Sequence, residues 1–370
     1  MRRFESYIYQ KAGWPKFTWQ VDTFVSKLGR VQHLQGKLMG KMEALGFTLR
    51  EEAVLDTLTL DVLKSSEIEG QLLSTEQVRS SIARQLGMNL PGLIKSDRNV
   101  DGVVEMMLDA TQKFNKPLTK DRLFGWHSAL FPVGRSGMYK IVVGKWRDDS
   151  TGPMQVVSGP MGRERVHYQA PDSKVVNKEM TAFIKWFNAE KKLDPILKAA
   201  VAHLWFITLH PFDDGNGRIA RALTDMQLAR ADGSNQRFYS MSNQIRGERN
   251  KYYDMLEKTQ KGKLDISEWI EWFLDCLIRS LSATDTTLAN VLRKVKFWEK
   301  HANTEFNARQ KRTVNKLHDG FFGKLSSSKY AKMNKCSADT ALRDIQDMIN
   351  KGVLKKDEAG GRSTNYELKF

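Results

Sequence analysis

Cysteine is scarce in this sequence, and long apolar runs are missing from it. Two cysteines, Cys276 and Cys336, occur among 370 residues, which is too few for a disulfide framework, and no His/Cys spacing typical of a zinc site is present. The longest uncharged apolar stretch, residues 199–212, is shorter than the roughly 18–20 residues that a membrane span needs. The first ten residues carry two arginines but no apolar run behind them, so no signal peptide is predicted. We therefore expect a cytoplasmic protein from a reducing compartment, without a membrane partner.

Proline and glycine are also too infrequent for a fibrous or mostly disordered chain, at nine and 26 residues. A hydrophobic content of 41% can build a sizeable core, and the length predicts two or three domains. The net charge is +16, and residues 291–370 carry 18 basic against nine acidic side chains. Such a local surplus of basic residues is consistent with binding to nucleic acid, with binding to an acidic partner, or with solubility alone. The composition does not distinguish between these three roles.

Helical periodicity covers most of the chain and predicts a mainly α fold. A first long helix is expected over about 22–46 and a second from residue 51 to a stop at Gly70, after which Ser74 and Gln77 form a capping box. The run 196–212 is apolar nearly all round, which indicates a buried central helix. Further helices are predicted over 100–114, 119–130, 174–192, 250–260 and 266–300.

Between residues 134 and 171 the pattern changes to short β-like runs separated by Gly and Pro. These runs cover 139–147, 154–159 and 163–171, with residues 159–162 as a hairpin tip. The strands of that hairpin are expected at Gln155–Ser158 and Arg165–Gln169.

The stretch from His210 to Arg221, HPFDDGNGRIAR, combines the residue types that phosphate chemistry needs. The glycines of 215–217 let successive backbone N–H groups point into one concavity before a helix N-terminus, which favours a phosphate. Arg218 and Arg221 lie on one side of the new helix and can clamp separate phosphate groups. Asp214 suits a magnesium ion that bridges phosphate oxygens, and His210 can take a proton near neutral pH. Together they indicate phosphoryl or nucleotidyl transfer.

This stretch resembles the Fic family motif HxFx(D/E)GNGRxxR and matches it at every fixed position. Residues 117–279 are similar to a complete Fic domain, an all-helical core with a β-hairpin flap. The resemblance implies transfer of AMP from ATP to a Ser, Thr or Tyr hydroxyl of a target protein or of the chain itself. It implies His210 as the base, Asp214 as the Mg²⁺ ligand, and five residues that bind the ATP phosphates: Gly215, Asn216, Gly217, Arg218 and Arg221. Phe212 and His203 are interpreted as packed core residues.

The resemblance also implies how the target and the adenine are bound. In the family the flap hairpin pairs with the target as an added strand, which requires an exposed edge. The segment 251–256 is similar to the one beneath the adenine, with Tyr253 and Leu256 as stacking and apolar contacts. Some relatives carry an Asn seven residues after the tyrosine, where this sequence has Gln260.

Ser65, Glu69 and Gly70 resemble the inhibitory motif of the family, (S/T)xxxE(G/N), and Ser65 and Glu69 share a helix face. The resemblance implies that Glu69 pairs with Arg221 and keeps ATP in a non-reactive position. Because this motif precedes the core, the chain resembles the N-terminally inhibited class, whose members often begin with a helical extension.

The last residues read as helix, turn, helix and two short strands around Glu358–Arg362, an order that resembles winged-helix modules. The second helix is expected over Ser337–Lys351. Because this helix carries one Arg and four acidic or amide residues on its exposed side, DNA binding is possible but not favoured over protein docking or homodimerisation.

Five regions are predicted: a helical extension (1–60), the inhibitory helix with its helical surroundings (61–116), the Fic domain (117–280), a linker helix (281–310) and a winged-helix domain (311–370). Two alternatives to an autoinhibited AMP-transferase stay open at this point. One is a Fic-type enzyme that transfers another phosphoryl group or removes AMP, and the other is a nucleotide-sensing DNA-binding regulator.

Overall fold

The structure is a computed structural model that describes residues 6–43, 47–90, 92–150, 152–160, 162–318, 321, 323–357 and 364–369. It is mainly helical and divides into two compact units, one formed by residues up to 86 together with 95–284, the other by 87–94 together with 285–370. Among the described residues, no helix has the length and apolar character to cross a membrane.

The N-terminal part contains two 3-10 helices, Ile8–Gln10 and Val21–Thr23, followed by α1 (Val25–Glu43), α2 (Phe47–Ile68) and α3 (Thr75–Gln85). The predicted end of the first helix at Gly46 lies outside the described residues. Gly70 has a φ of +80° just beyond α2, as predicted. The Ser74 side chain accepts a hydrogen bond from the Gln77 amide at the start of α3, but the Gln77 side chain accepts from the Asp97 amide at 3.3 Å, so only the Ser74 half of the predicted capping box forms. Because α2 is continuous, the predicted regional limit at residue 60 lies inside a helix.

Helices α4 (Arg98–Gln112) and α5 (Lys120–Leu130) pack at very short range. A Cβ atom added at Gly102 would lie 1.8 Å from the carbonyl oxygen of Ala129, so only glycine fits at this crossing. Thr119 caps α5 by accepting a hydrogen bond from the Arg122 amide.

Two small hairpins follow: β1 (Arg135–Ser136) with β2 (Tyr139–Lys140), and β3 (Gln155–Ser158) with β4 (Arg165–Gln169). The strands β3 and β4 have the predicted bounds, with a register shift between Val156 and Val157. The predicted strand over 139–147 is wrong beyond residue 140. Its backbone amides at Val142 and Gly144 donate instead to the side chains of Asp213 and His127, so they do not form a strand ladder.

The centre of the first unit is formed by α6 (Ser173–Ala189), α7 (Pro195–Leu209) and α8 (Asn216–Asp232). Every residue of α7 from Ile196 to Leu209 is buried, which confirms the predicted central helix. Asp194 caps α7, and Pro195 occupies its first turn, where a missing N–H costs nothing. The following helices are α9 (Met241–Gly247), α10 (Arg249–Gln260) and α11 (Ser267–Lys300), so the predicted limit at residue 280 also lies inside a helix.

The second unit contains α12 (Ala308–His318), α13 (Ser327–Asn334), α14 (Ala338–Asn350) and the antiparallel pair β5 (Leu354–Lys356) and β6 (Tyr366–Leu368). This is the predicted order of helix, turn, helix and hairpin, and Ser337 and Lys351 are the caps of α14. The predicted limit at residue 310 lies within α12. The predicted wing residues Glu358–Arg362 lie outside the described residues. The core is a separate apolar cluster: Phe297, Val314, Leu325, Tyr330, Ala341, Ile345, Met348, Val353, Leu354, Tyr366 and Leu368.

Candidate active site

The motif loop between α7 and α8 is a sharp connection with two left-handed residues. His210 caps α7 with φ +48° and ψ +58°, an unusual conformation for a residue other than glycine, and Gly215 precedes α8 with φ +80°. Since the first N–H groups of a helix have no partner within the helix, the amides at the start of α8 remain available to an anion. The loop therefore places an imidazole and a helix N-terminus side by side in the chain.

The His210 ring is oriented as a base. Its Nδ1 lies 3.1 Å from the carbonyl oxygen of Ile207, and because a carbonyl can only accept, Nδ1 carries the proton and Nε2 keeps its lone pair. Burial lowers the pKa of His210, since charging the ring away from water is unfavourable. The ring is therefore neutral at pH 7 and able to take a proton. It also lies within electrostatic reach of Glu69 and Asp214.

The Asn216 side chain holds the loop closed. Its Oδ1 accepts from the Phe212 amide at 3.0 Å and its Nδ2 donates to the Phe212 carbonyl at 2.7 Å, in a buried environment. The side-chain carboxamide of Asn216 is thus already hydrogen-bonded to Phe212, and only the backbone N–H of Asn216 can bind a phosphate. Phe212 is fully buried, as predicted, and stacks on His127 with ring centroids 4.2 Å apart.

Asp214 lies at the mouth of this loop. Its Oδ2 accepts a hydrogen bond from the hydroxyl of Ser136 in β1, and its carbonyl oxygen is 3.2 Å from His127 Nε2. Because the Gly144 amide donates to His127 Nδ1, Nε2 is the protonated nitrogen and donates to Asp214. Burial lowers the pKa of His127 to about 4, so this ring is a neutral support for the loop.

Two buried guanidinium groups follow on α8. Arg218 donates to Gln71 Oε1 at 3.1 Å and lies over the Phe131 ring at 4.9 Å, while Arg221 donates through Nε to Ser65 Oγ at 2.9 Å. Each has one buried nitrogen without a hydrogen-bond partner in the described part of the chain, Nε of Arg218 and Nη1 of Arg221. Buried unpaired donors are rare and costly, which marks these two groups as sites for an anionic ligand.

The end of α2 reaches this arginine pair. Glu69 Oε1 accepts from Arg221 Nη2 at 2.7 Å, and the same nitrogen donates to the Ser65 carbonyl at 2.8 Å. A Cβ atom added at Gly217 would lie 2.1 Å from Glu69 Oε1, so this carboxylate rests directly against the first turn of α8. The predicted residues Ser65 and Glu69 therefore meet Arg221, while Gly70 lies beyond the helix end.

Of the residues predicted to bind the adenine in segment 251–260, one faces the site and two are buried in the core. Tyr253 faces the site, with its hydroxyl 3.5 Å from Glu69 Oε2 and Arg249 over its ring at 5.0 Å. Leu256 and Gln260 are buried, and Gln260 Nε2 lies 3.5 Å from the Ile207 carbonyl, against α7. Tyr253 is thus the residue of the three that points to the motif arginines.

The neighbouring residue, Tyr252, belongs to the core and not to the site. Tyr252 is buried and its hydroxyl lies 2.8 Å from His203 Nε2. His203 Nδ1 contacts Thr224 Oγ1 at 2.8 Å, and burial lowers the pKa of His203 to about 3. His203 is a neutral core histidine, as predicted.

The β3–β4 hairpin is fixed at its base and exposed toward its tip. The Tyr168 hydroxyl donates to the Thr208 carbonyl at 2.6 Å, and its ring packs edge-on against Tyr7 with centroids 5.1 Å apart. Toward the tip, Val157 and Val166 face each other across the strands and are 47% and 37% exposed, an unusual location for paired valines. The hairpin therefore carries an exposed apolar pair near its tip.

Three residues that hold the site were not predicted from the sequence: Ser136, His127 and Arg147. Arg147 is buried, and its Nε donates to the His210 carbonyl at 2.8 Å. The sequence signal that could have identified it is the run Trp146-Arg147-Asp148-Asp149, which places an arginine next to an aromatic residue and two carboxylates that can pair with it.

Comparison with known proteins agrees with this geometry. A family model described as Fic/DOC family matches residues 117–228, and a model described as a domain of unknown function (DUF4172) matches residues 7–88. The chain contains a Fic family domain. The resemblance inferred from residues 210–221 is thereby confirmed.

The relatives and neighbours of this Fic protein are moderately similar to it. Protein adenylyltransferase fic-1 of Caenorhabditis elegans is 31% identical over 178 residues, which cover 48% of this chain and 32% of the relative. Protein adenylyltransferase Fic of Culex quinquefasciatus is 36% identical over 104 residues, covering 28% and 19%. The chain therefore spans about a third or less of these curated relatives.

Among solved structures, a Fic family protein from Desulfovibrio desulfuricans superimposes with a TM-score of 0.55 at 19% identity, covering 96% of this chain and 98% of that one. A Fic domain containing signaling protein from Bacteroides thetaiotaomicron gives a TM-score of 0.51 at 21% identity, covering 70% and 97%. At this identity the likeness shows the fold, which confirms the predicted helical Fic core with its hairpin.

Proposed function

We propose that this Fic protein is a protein adenylyltransferase that transfers AMP from ATP to a hydroxyl of a target protein and of itself. The carrying observation is the arrangement of the motif loop, in which the unprotonated Nε2 of His210 is combined with the anion-binding start of α8 and two buried arginines with unpaired nitrogens. The curated relatives named protein adenylyltransferase support this chemistry.

In the proposed reaction the hydroxyl oxygen attacks the α-phosphorus of ATP. The bond from this phosphorus to the bridging α–β oxygen breaks, pyrophosphate leaves, and the hydroxyl proton moves to His210 Nε2. A neutral imidazole is the required starting form, and the lowered pKa of His210 supplies it at pH 7. The backbone amides of Asn216 and Gly217 with Arg218 and Arg221 would stabilise charge on the phosphates, while the Gly215 amide donates to Asp214 Oδ1 at 2.5 Å.

Magnesium is the metal that this reaction implies, and the donors at the loop fit it. Asp214 offers one carboxylate beside the proposed phosphate site, and Mg²⁺ typically takes one or two carboxylates together with phosphate oxygens. In the described ranges no group of three or more His, Cys, Asp or Glu could hold a metal, and a site shared with ATP needs no such group. When bound, the ion would neutralise charge on the phosphate oxygens, and Asp214 would hold it.

We further propose that Glu69 inhibits the enzyme. Its carboxylate occupies one nitrogen of Arg221 and lies against Gly217, where the γ-phosphate of a productively bound ATP would be held. A negative charge at this place repels the triphosphate and keeps Arg221 engaged. Displacement of the end of α2 would release both effects at once.

The target is proposed to dock on the β3–β4 hairpin by adding a strand, with Val157 and Val166 as apolar contacts. For the second unit we propose docking of a protein or of a second copy of the chain. The exposed positions of α14 include Asp339, Gln346 and Asn350, which are poor phosphate contacts.

The test is incubation of the wild type, Glu69→Gly and His210→Ala with labelled ATP and Mg²⁺, followed by mass spectrometry of the chain. An adenylyl adduct that increases in Glu69→Gly and is absent in His210→Ala supports the proposal. An adduct of a different mass would point to another transferred group. No adduct in Glu69→Gly would overturn adenylyl transfer.

A further inference from the structure

Arg147 makes a set of contacts that joins two distant parts of the site. The residue is 3% exposed, and its guanidinium donates through Nε to the His210 carbonyl at 2.8 Å and through Nη2 to the Pro171 carbonyl. Its backbone amide donates to the Pro211 carbonyl at 3.0 Å. The Arg147 side chain therefore contacts the backbone of His210 and the backbone of Pro171, just after strand β4.

The third contact of the guanidinium anchors it to α6. Nη1 pairs with Asp149, whose other carboxylate oxygen accepts from the Ser173 amide at 2.8 Å in the first turn of that helix. Asp149 has a φ of +55°, a left-handed conformation that is held by these surrounding bonds. The fork geometry of arginine is required here, because a lysine ammonium cannot serve three fixed acceptors in one plane.

His210 needs such a support because its backbone is strained. A histidine with φ +48° persists only where its neighbours determine the conformation, and the bond from Arg147 falls on its own carbonyl group. Rotation of this peptide would swing the imidazole away from the start of α8.

We infer that Arg147 is a positioning residue that fixes the His210 backbone and the root of the β3–β4 hairpin relative to each other. The inference rests on the proposed adenylyl transfer, since it assigns the base to His210 and target docking to the hairpin. Under it, loss of the guanidinium fork misplaces the base against a docked hydroxyl while the ATP-binding groups on α8 stay intact.

Charge and geometry can be separated by two variants. Arg147→Lys keeps the positive charge and loses the fork, whereas Arg147→Met loses both. Because the charge of Arg147 contributes to the low pKa of His210, the acidic limb of the pH–rate profile should move to higher pH in Arg147→Met and stay in place in Arg147→Lys. The two profiles therefore separate loss of the charge from loss of the fork, and a lower kcat with an unshifted profile in Arg147→Lys would report misplacement of the base.

Arg230 supplies the matched control. It is also an arginine that clamps backbone carbonyls, with Nε on Phe114 at 2.7 Å and Nη2 on Lys116 at 3.0 Å, but it does not contact His210 or the hairpin. Arg230→Lys removes the same kind of guanidinium fork at a position that lies outside the proposed reaction site.

The experiment uses the full chain in the Glu69→Gly background, with automodification by labelled ATP as the rate. We expect kcat to fall about 10- to 100-fold in Arg147→Lys, since a misplacement of about 1 Å costs on the order of 100-fold, while the Kd for ATP changes less than about twofold. Hydrogen exchange over 155–158 and 165–169 should accelerate in Arg147→Lys and stay unchanged in Arg230→Lys. Equal rates and equal exchange in the two variants would overturn the inference.

Hydrogen exchange keeps this test independent of the proposed function. If Glu69→Gly transfers no AMP, the proposed function is refuted. Protection of the hairpin amides from hydrogen exchange still reports on the role of Arg147. If Arg147→Lys does not fold, Asp149→Asn weakens the same anchor, because asparagine tolerates the left-handed backbone while losing the charge. An unchanged kcat and unchanged exchange in folded Asp149→Asn would then count against the inference.

Discussion

The Glu69→Gly variant tests the contact on which the proposed inhibition depends. Residue 69 lies one position beyond the end of α2, so glycine there does not interrupt a helix. The change removes the carboxylate from Arg221 Nη2 and from the face of Gly217, and leaves Ser65 bonded to the guanidinium. We expect Arg221 to remain in place, with Nη2 still bonded to the Ser65 carbonyl, and to gain one free N–H for the γ-phosphate.

The size of the effect follows from one charge-assisted bond. The pair is 2.7 Å long between an arginine side chain that is 2% exposed and a glutamate side chain that is 31% exposed. A hydrogen bond to a charged group contributes about 1.5–3 kcal/mol, which corresponds to roughly 10- to 150-fold in an equilibrium constant. The rate of AMP transfer should therefore rise by a factor in this range when ATP is limiting.

Glu67 provides a control on the same helix. Its carboxylate pairs with Lys64 at 2.9 Å and with Arg246 at 3.5 Å, and it contacts neither motif arginine. Glu67→Gly also costs about 1 kcal/mol of helix propensity inside α2, so it disturbs the helix more than Glu69→Gly does. If loosening of α2 alone activates the enzyme, Glu67→Gly will be the more active variant.

The assay is initial-rate automodification with labelled ATP over a range of ATP concentrations, together with direct ATP binding. Activation should appear in Glu69→Gly and be small in Glu67→Gly. If the rate of Glu69→Gly equals that of the wild type although ATP binds, the carboxylate on Arg221 is not inhibitory and the reasoning fails.

Three further predictions concern stability. Gly102→Ala should destabilise the first unit by about 3 kcal/mol or more, because the new methyl group meets the backbone of α5 at 1.8 Å. His127→Gln should flatten the pH dependence between about 6.5 and 4: the wild-type ring stays neutral in the fold and is protonated when unfolded, so the wild type loses up to about 3 kcal/mol as pH falls. Asp344→Ala should cost about 2 kcal/mol in the second unit, since it leaves the buried Tyr330 hydroxyl without its partner at 2.9 Å.

Each of these has a direct measurement. Urea denaturation compares Gly102→Ala with Gly125→Ala, which has open space around it and should stabilise by about 0.5–1 kcal/mol; equal effects would contradict the packing argument. Parallel stability curves for the wild type and His127→Gln from pH 6.5 to 4 would refute a neutral buried His127. Hydrogen exchange of α14 reports on Asp344→Ala, and unchanged protection there would refute the role of Asp344.

The part of the site that lies within one segment was predictable from the sequence. The turn at Gly215 and the start of α8 follow from residue type and helix spacing within residues 210–221. The pairing of Glu69 with Arg221 joins residues 152 positions apart and was predicted only through the resemblance to a family motif. The hairpin strands were predictable for the same reason, because alternation and glycine placement are local signals.

The rest depends on contacts between segments that are far apart in the chain. Residues 141–147 have β-branched and aromatic side chains typical of a strand, yet Val142 donates to Asp213 at 2.8 Å and Arg147 donates to Pro211, so their amides serve the motif loop. Asn216 matches a binding motif, but its side-chain amide closes the loop around Phe212. No local sequence pattern predicts that the backbone amides of 141–147 bond to the motif loop, or that the Asn216 side chain closes that loop.

The N-terminal stretch matched as a domain of unknown function contacts both ends of the proposed reaction. Near its start Tyr7 packs against Tyr168 at the base of the hairpin, and near its end Glu69 pairs with Arg221. The first contact is aromatic packing that survives any movement of a charge, whereas the second is one ion pair at a helix end that a competing triphosphate can replace. Because the two contacts differ in kind, the proposed release of Glu69 would free the proposed phosphate site while the hairpin stays anchored by Tyr7, as the proposed regulation of target modification requires.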